Sequence, residues 1–389
     1  MNIMYNYSSL DHQLDELLQS ICQELQITQS IHSRVDTSYH AVAEWLAADE
    51  ERFPDIDIDI YPQGSLRIGT TVRPINQQEF DLDLVCELKV NWEKYENATE
   101  VLDLIEARLR EHKTYAPMVE RKNRCIRLNY KNNFHMDILP ACPVKQDPRG
   151  CVKVPDRKQN DWKDSNPKGY ANWFEEKAKD FTPKFEYRFL LEKSAEIEQL
   201  PDLEPVEIKP PLKRAVQLIK RYRDIYFCEE LDKAPISIVL TTIAGRLYKK
   251  QGSVNEAITD ILNELCRLVS NDGKITVVNP MNELEILSER WDENPSLYKH
   301  FVEFIQNFRE EWIKLNEMKS EGIIEVTTLL KKMFGEEPIN KSLIKQAELS
   351  EAYRNMDKLS ITKTGVLSVA PVAAANEYIG VRKNTFYGE

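Results

Sequence analysis

The chain lacks the features that define several classes of protein. None of its apolar runs approaches the roughly 20 residues that cross a membrane, and its N-terminus is polar, so we expect neither a membrane helix nor a signal peptide. Seven cysteines, an odd number with no C-x-x-C pair, do not suggest a disulfide framework and favour a reducing cytoplasm. We interpret Cys142 and Cys151 as ordinary thiols rather than metal ligands.

A surplus of basic residues is also missing, because the formal net charge at pH 7 is −12. Proteins whose main task is to hold DNA or RNA phosphates normally carry a positive surplus. A phosphate-bearing partner is therefore expected to be small and to meet a local basic patch, which favours mononucleotides over a duplex. The length of 389 residues and the hydrophobic content of 42% fit a globular protein with two domains.

The most informative stretch runs from residue 61 to residue 88. It opens with a polar turn, Gln63-Gly64-Ser65, whose backbone N–H groups and hydroxyl suit a phosphate, particularly where a helix begins. It closes with Asp81 and Asp83 in an apolar run, where residues two apart point to the same face of a strand. Two adjacent carboxylates repel each other unless a cation lies between them, so the pair predicts a divalent metal site.

A third acid lies on a later predicted strand. Residues 125–130 and 134–139 have the pattern of two strands joined by a turn at 131–133, and His135 and Asp137 share one face of the second strand. A surface aspartate is the alternative interpretation of Asp137. In combination with the paired acids and the Gly-Ser turn, however, this third acid favours phosphoryl-transfer chemistry on a nucleotide.

The remainder of the chain divides into a strand-rich first half and a helical second half. Residues 10–48 have the periodicity of a long helix or helix pair, residues 100–112 predict another helix, and 143–170 are rich in loop residues. After a proline- and acid-rich linker at 201–211, helices are predicted at 212–226, 235–247, 254–270, 295–319 and 322–334. We therefore predict a catalytic domain at 1–200, a helical domain at 201–365 and a polar, mobile tail at 366–389.

Several polar residues have two interpretations. The alternating acids of residues 55–59 suggest a metal cluster but are interpreted as a solvated strand face, and the default for the basic residues of 212–226 is a solvated helix face. Asn166 precedes a proline and suits a turn better than a role in reading a base. Arg124 and Arg127 are candidates to approach an acceptor nucleotide.

Taken together, these blocks resemble a known superfamily. They are, in chain order, Gly64-Ser65, the D-x-D of Asp81 and Asp83, the H-M-D-I containing Asp137, L-I-K-R-Y-R-D containing Lys220, P-I-S ending at Ser237, and N-P…E-R-W between residues 279 and 291. This ordered set is similar to the DNA polymerase β-like nucleotidyltransferases, and within them to the bacterial cyclic GMP–AMP synthase-like enzymes, the CD-NTases. The similarity covers roughly residues 60–300.

The resemblance implies a fold and a site. The fold would be α+β and bilobal, with a mixed β-sheet lobe and a long N-terminal helix facing a mostly helical lobe across a nucleotide cleft. The resemblance implies that Asp81, Asp83 and Asp137 are the catalytic residues and hold two Mg²⁺ ions. It also implies that the triphosphate is bound by Gln63, Gly64, Ser65, Lys220 and Ser237. Mn²⁺ would be a substitute for Mg²⁺.

The resemblance also implies a function. Such an enzyme joins ribonucleoside triphosphates into a cyclic di- or trinucleotide, a second messenger in bacterial anti-phage (CBASS) signalling. The acidic charge and the lack of a zinc ribbon argue against activation by duplex DNA, and companion CBASS proteins acting on the tail, which ends in Tyr387-Gly388-Glu389, are implied partners. The alternatives are a linear oligoadenylate or RNA-tailing nucleotidyltransferase and a catalytically silent nucleotide-binding partner. The bases, the linkage, the ring size and the mode of activation stay open.

Overall fold

The structure is a computed structural model that describes most of the chain. The described residues are 9–48, 56–75, 79–131, 134–145, 147, 149–179, 196–197, 199–202, 209–271, 273–319, 322–355, 359–362, 367–369 and 378–380. The predicted tail interaction at Tyr387-Gly388-Glu389 and the first of the alternating acids, Asp55, lie outside these residues.

A mixed β-sheet forms the first lobe. Its strands are β1 (Ile58–Gln63), β2 (Phe80–Leu88), β3 (Val119–Arg121), β4 (Ile126–Tyr130), β5 (Phe134–Pro143), β6 (Val152–Asp156), β7 (Asp161–Ser165) and β8 (Glu196–Ile197). The order is β3-β4-β5-β2-β1-β8, and β6 extends from β5 and pairs with β7. Strands β2 and β5 run parallel at the centre, while β4 and β1 flank them in the antiparallel sense.

Two helices, α2 (Gln29–Ala47) and α4 (Glu100–Glu111), help to bury one face of this sheet. Their apolar side chains pack with Leu82 and Leu84 of β2 and with Met136 and Ile138 of β5, all fully buried. Because side chains alternate along a strand, this packing leaves the odd-numbered residues of β2 and β5 on the opposite face. The short helix α3 (Gly64–Arg67) follows directly after β1.

Helices build the second lobe. They are α5 (Pro167–Ala178), α6 (Pro211–Tyr226), α7 (Ser237–Leu247), α8 (Val254–Asn271), α9 (Arg290–Glu293), α10 (Pro295–Met318), α11 (Ile323–Phe334) and α12 (Glu336–Asn355). The hairpin of β9 (Val278–Asn279) and β10 (Asn282–Ile286) lies between α8 and α9. These helices share one apolar core, separate from the core under the sheet. The predicted α+β, bilobal fold is confirmed.

The first helix, α1 (Ser9–Leu25), belongs by its contacts to the helical lobe. Its residues Leu14, Leu18 and Ile21 lie in the core formed by α6, α8 and the helices after them. Asp15 Oδ1 also accepts a hydrogen bond of 3.0 Å from the backbone N–H of Asn255 at the start of α8. The domain boundary at residue 200 stays a prediction. No helix within the described residues is long and apolar enough to cross a membrane.

Two predictions about elements are corrected by the structure, and one helix was not predicted. The segment predicted as loop at 143–170 contains β6 and β7. The segment predicted as a mobile tail contains β12 (Leu367–Val369) and β13 (Tyr378–Gly380), both paired with β11 (Leu359–Thr362). Helix α12 was not predicted, because its apolar residues have weak helical periodicity.

Two predictions of solvated charge are wrong. Asp59 is only 5% exposed, and its carboxylate is paired with the ammonium groups of Lys89 and Lys168, which offset the cost of its burial. On α6, Lys213 and Lys220 are buried with other basic residues of this helix rather than solvated. Lys213 pairs with Glu175 of α5 at 2.9 Å, which satisfies its charge inside the lobe.

Candidate active site in the cleft between the lobes

Polar side chains form a row across four strands of the sheet. Asp83 on β2 is directly opposite Asp137 on β5, and Asp137 is opposite Arg127 on β4. On the other side, Asp83 is opposite Gln63, the last residue of β1. Residues that are directly opposite in adjacent strands project to the same face. Asp83 and Asp137 are 54 positions apart in the chain. The parallel pairing of β2 and β5 brings these two predicted acids side by side.

The third predicted acid, Asp81, precedes Asp83 by two residues and so shares its face. Its side chain is 55% exposed, whereas that of Asp137 is 16% exposed. Arg127 connects the two strands through its guanidinium. It donates to both oxygens of Asp137 at 2.7 Å each and to Oδ1 of Asp81 at 3.1 Å.

The turn from β1 to α3 approaches the acids closely. Gly64 has φ +65°, and a Cβ atom at this position would overlap with the carboxylate oxygen Oδ2 of Asp83. Glycine is required here because it adopts this backbone conformation without strain and leaves room for the carboxylate. The next residue, Ser65, lies in the first turn of α3, and its Oγ accepts a hydrogen bond of 3.4 Å from Thr71 Oγ1.

The helical lobe contributes cations and hydroxyl groups from α6 and α7. Lys220 is 4% exposed, and its ammonium donates to Thr70 Oγ1 at 3.0 Å and to the Thr70 carbonyl at 3.3 Å. Arg223, one turn further along α6, donates to Ser237 Oγ at 2.5 Å and also pairs with Asp224. Sequence reasoning assigned no role to Arg223, although it lies in the L-I-K-R-Y-R-D block, one helical turn after Lys220.

A cavity of about 580 Å³ lies between these groups, within the usual size of a small-molecule site. Of the residues predicted to bind nucleotide, all five line it, and so do Asp81 and Asp83, but Asp137 does not. The polar residues lining the cavity are Gln63, Ser65, Thr71, Glu79, Asp81, Asp83, Ser165, Lys220, Arg223, Asp224, Ser237, Thr241, Asn279 and Glu285.

Burial shifts the titration of two groups in this cleft. Burial, followed by the negative charges of Asp137 and Asp81, raises the pKa of Asp83 to about 7. Burial, followed by the positive charge of Arg223, lowers the pKa of Lys220 to about 7. Both pKa shifts disfavour the charged form of the side chain. A bound molecule of opposite charge would therefore stabilise the charged form of each group.

Two residues considered for base or acceptor recognition have structural partners within the protein. Asn166 is fully buried and caps the N-terminus of α5, where its Oδ1 accepts from Gly169 N at 2.9 Å. Arg124 pairs with Asp156 and with Glu289, the latter from the helical lobe. The turn interpretation of Asn166 thus agrees with the structure.

The donor set of the three acids suits a hard divalent cation, because such ions prefer carboxylate oxygens. The row of Asp83 and Asp137, with Asp81 on the same face, provides these oxygens from two adjacent strands. As the side chains stand, however, no group of three or more His, Cys, Asp or Glu residues in the described part of the chain is arranged to hold a metal ion. The guanidinium of Arg127 pairs with both Asp81 and Asp137.

Comparison with known proteins agrees with this architecture. Residues 13–178 match the Second Messenger Oligonucleotide or Dinucleotide Synthetase (SMODS) domain family. A c-di-GMP synthase of Roseivirga ehrenbergii is 37% identical over 385 residues, 98% of this chain and 99% of that protein. The cyclic dinucleotide synthase CdnG of Bradyrhizobium diazoefficiens is 26% identical over 309 residues, 72% of this chain and 71% of the other.

The fold of a solved relative is also similar. The structure of the Bradyrhizobium diazoefficiens CD-NTase CdnG in complex with GTP superposes with a TM-score of 0.68, covering 86% of this chain and 99% of that one at 22% identity. The similarity to the Roseivirga enzyme extends through both lobes, because it spans nearly the whole of each chain. The chain therefore belongs to the bacterial CD-NTase family of the DNA polymerase β-like nucleotidyltransferase superfamily.

Proposed function

We propose that this nucleotidyltransferase joins two molecules of GTP into cyclic di-GMP, with release of two pyrophosphates. The product is proposed from the Roseivirga c-di-GMP synthase, which is similar along the whole chain. The GTP-bound structure of CdnG supports the same base. A cyclic dinucleotide made by a member of this family is a second messenger in CBASS anti-phage signalling. We propose that the activity takes place in the bacterial cytoplasm.

One observation supports the catalytic part of this proposal above the others. Asp83 and Asp137 are directly opposite in adjacent parallel strands, Asp81 shares their face, and Asp81 and Asp83 line the same cavity as the Gly64-Ser65 turn. An enzyme that transfers a nucleotidyl group needs carboxylates next to a triphosphate seat, because the reaction depends on positioning and on charge stabilisation. A protein that only binds nucleotides has no such need.

Each group in the cleft has a proposed role. Gln63, Gly64 and Ser65 would hold the triphosphate of the donor through the polar turn and its hydroxyl. Lys220 and Ser237 would reach this triphosphate from the helical lobe, and the ammonium of Lys220 would gain its proton as the phosphate charge arrives.

The three acids would act as a unit. Asp81, Asp83 and Asp137 would hold two Mg²⁺ ions, or Mn²⁺ in their place, consistent with the general metal dependence of the family. Bound divalent ions would activate the acceptor hydroxyl and neutralise the pyrophosphate as it leaves. The acids would also keep the acceptor ribose in line with the α-phosphate, so that loss of one carboxylate removes most of the activity.

The proposal is tested by incubating the purified chain with Mg²⁺ and all four ribonucleoside triphosphates, treating the mixture with phosphatase, and identifying the products by mass spectrometry. We expect cyclic di-GMP, which survives phosphatase because it has no terminal phosphate. We expect Asp83→Asn and Asp137→Asn each to lower its synthesis about 1000-fold or more.

Asp164→Asn is the matched control, because Asp164 is a half-buried acid of the same lobe that pairs with Lys153 at 3.0 Å, away from the row. It should retain most of the activity. Products that phosphatase degrades would favour the linear oligonucleotide alternative, and full activity in Asp83→Asn would contradict the proposed site. No pyrophosphate release from any mixture would favour a silent nucleotide-binding protein.

A further inference from the structure

Arg127 has a geometry that the proposed reaction does not by itself require. It lies on β4, directly opposite Asp137 on β5, and its side chain is 21% exposed. Its Nε and Nη2 donate to the two oxygens of Asp137, both at 2.7 Å, which is the bidentate arrangement that a guanidinium makes with a carboxylate. Nη2 also donates to Asp81 Oδ1 at 3.1 Å. One side chain therefore holds acids from two different strands.

The reason for this arrangement is electrostatic. Asp81, Asp83 and Asp137 lie on one face of two adjacent strands, where three carboxylates repel one another. A single guanidinium that bonds two of the three offsets this repulsion, and its fork fits a carboxylate better than the point charge of a lysine does. Arg127 therefore occupies the position of a counter-ion to the three acids.

We propose that Arg127 is an internal counter-cation of the metal-free acid group, and that a divalent metal ion must displace it from Asp81 in order to bind. This inference rests on the proposed function, because it assumes that the three acids are the metal site. Arg127 is a positioning residue in this proposal. It would set the metal concentration at which the site fills and would keep the carboxylate of Asp137 oriented once it has filled.

The contact distances indicate which bond opens. The bidentate fork uses one lone pair of each Asp137 oxygen and leaves the other free, so Asp137 can face a metal ion without losing Arg127. The bond to Asp81 is longer, at 3.1 Å, and Asp81 is the more exposed acid. We therefore expect the Asp81–Arg127 bond to open and the Asp137–Arg127 pair to persist.

The proposal is tested on the full chain without nucleotide, by titrating Mn²⁺ at pH 8 and following the melting temperature. Arg127→Gln removes the competing charge. It should lower the melting temperature of the metal-free protein and lower the Mn²⁺ concentration of half-maximal stabilisation, on the order of tenfold for one unit charge near the ion. Arg127→Lys keeps the charge without the fork, so its half-maximal concentration should lie closer to that of the unmodified protein.

Arg121→Gln is the matched control. Arg121 is 23% exposed, lies on the neighbouring strand β3, and pairs with Asp103 and Glu106 rather than with the three acids. It should leave the Mn²⁺ midpoint unchanged. An unchanged or higher midpoint in Arg127→Gln would overturn the proposal, as would the lack of any Mn²⁺ effect on the unmodified protein.

The two proposals fail separately in this design. If Asp83→Asn loses synthesis but Arg127→Gln has the midpoint of the unmodified protein, only the role of Arg127 is wrong. If Asp83→Asn retains synthesis, the proposed metal site itself is wrong, whatever the Mn²⁺ titration shows. The melting temperature is a readout that does not depend on turnover, so a variant with no synthesis still reports its metal affinity.

Discussion

Asp83 and Lys220 line the same cleft from opposite lobes, and both are disfavoured in their charged forms. Asp83 has a pKa raised to about 7, and Lys220 has a pKa lowered to about 7. The charged form of each residue therefore lowers the free energy of unfolding of the ligand-free protein at neutral pH. The proposed binding partner, a cation for Asp83 and a phosphate for Lys220, would remove this destabilisation. The cleft is arranged for ligands rather than for its own stability.

This cost leads to a prediction for Asp83→Asn in the absence of metal. The folded protein keeps a proton on Asp83 up to about pH 7, whereas the unfolded chain releases it near the ordinary value of about 3.9. The contribution of this proton to the free energy of unfolding is complete below about pH 4 and is lost as the pH rises through 7. Asparagine has no such loss, so the stability advantage of Asp83→Asn should increase by on the order of 2 kcal/mol between pH 5.5 and pH 8.5.

The measurement is urea unfolding in EDTA at pH 5.5 and pH 8.5, for the unmodified protein and the variant. The stability advantage of Asp83→Asn should be larger at the higher pH. Asp164→Asn, which alters an acid outside the row, should show no such increase. An advantage of equal size at both pH values would mean that Asp83 does not retain its proton in the folded state.

At the scale of elements, strands β2 and β5 could be predicted from alternation, and so could the acids that they carry on one face. Their parallel register could not, because nothing local specifies which residue of β5 lies opposite Asp83. Strands β6 and β7 were missed because they are short, β6 contains a proline, and β7 has a single apolar residue. The approach of Arg127 to an acceptor nucleotide stays a prediction, and its bonds to Asp81 and Asp137 could not be predicted because they depend on that register.

Helix α5 supports a prediction that distinguishes capping from base recognition. Asn166 is fully buried, caps α5 at Gly169 N, and donates through Nδ2 to the carbonyl of Arg149 at 3.0 Å. Asn166→Ala removes the cap and leaves buried groups without a partner, so we expect a loss of about 2–4 kcal/mol in the free energy of unfolding. The ratio of bases in the product should not change.

Thermal unfolding tests the predicted loss of stability, and mass spectrometry of the products from all four triphosphates tests the predicted base ratio. Asn294→Ala is the control, because Asn294 caps α10 in the same way, through a bond of 3.2 Å to Ser296 N, but is exposed. It should cost about 1 kcal/mol or less. A change in base choice by Asn166→Ala without loss of stability would instead make Asn166 a base reader.

At the scale of the whole molecule, chain order and packing disagree about the first helix. The sequence predicted the two N-terminal helices as part of the catalytic domain, and periodicity alone could not indicate which core each one enters. In the structure α2 packs under the sheet, whereas α1 packs against α6, α8 and α12. A chain of this length with two cores does not have to unfold in one step, so the two lobes are expected to report local changes separately.

The last prediction uses this separation to test where α1 belongs. Leu18 of α1 and Leu102 of α4 are both fully buried, one in each core, and replacement of such a leucine by alanine costs about 2–5 kcal/mol. Hydrogen–deuterium exchange of the nucleotide-free protein should therefore increase in α6 and α8 for Leu18→Ala, and in β2 and β5 for Leu102→Ala. If Leu18→Ala instead increased exchange in β2 and β5 as much as in α8, α1 would be coupled to the sheet lobe and the predicted domain boundary would gain support.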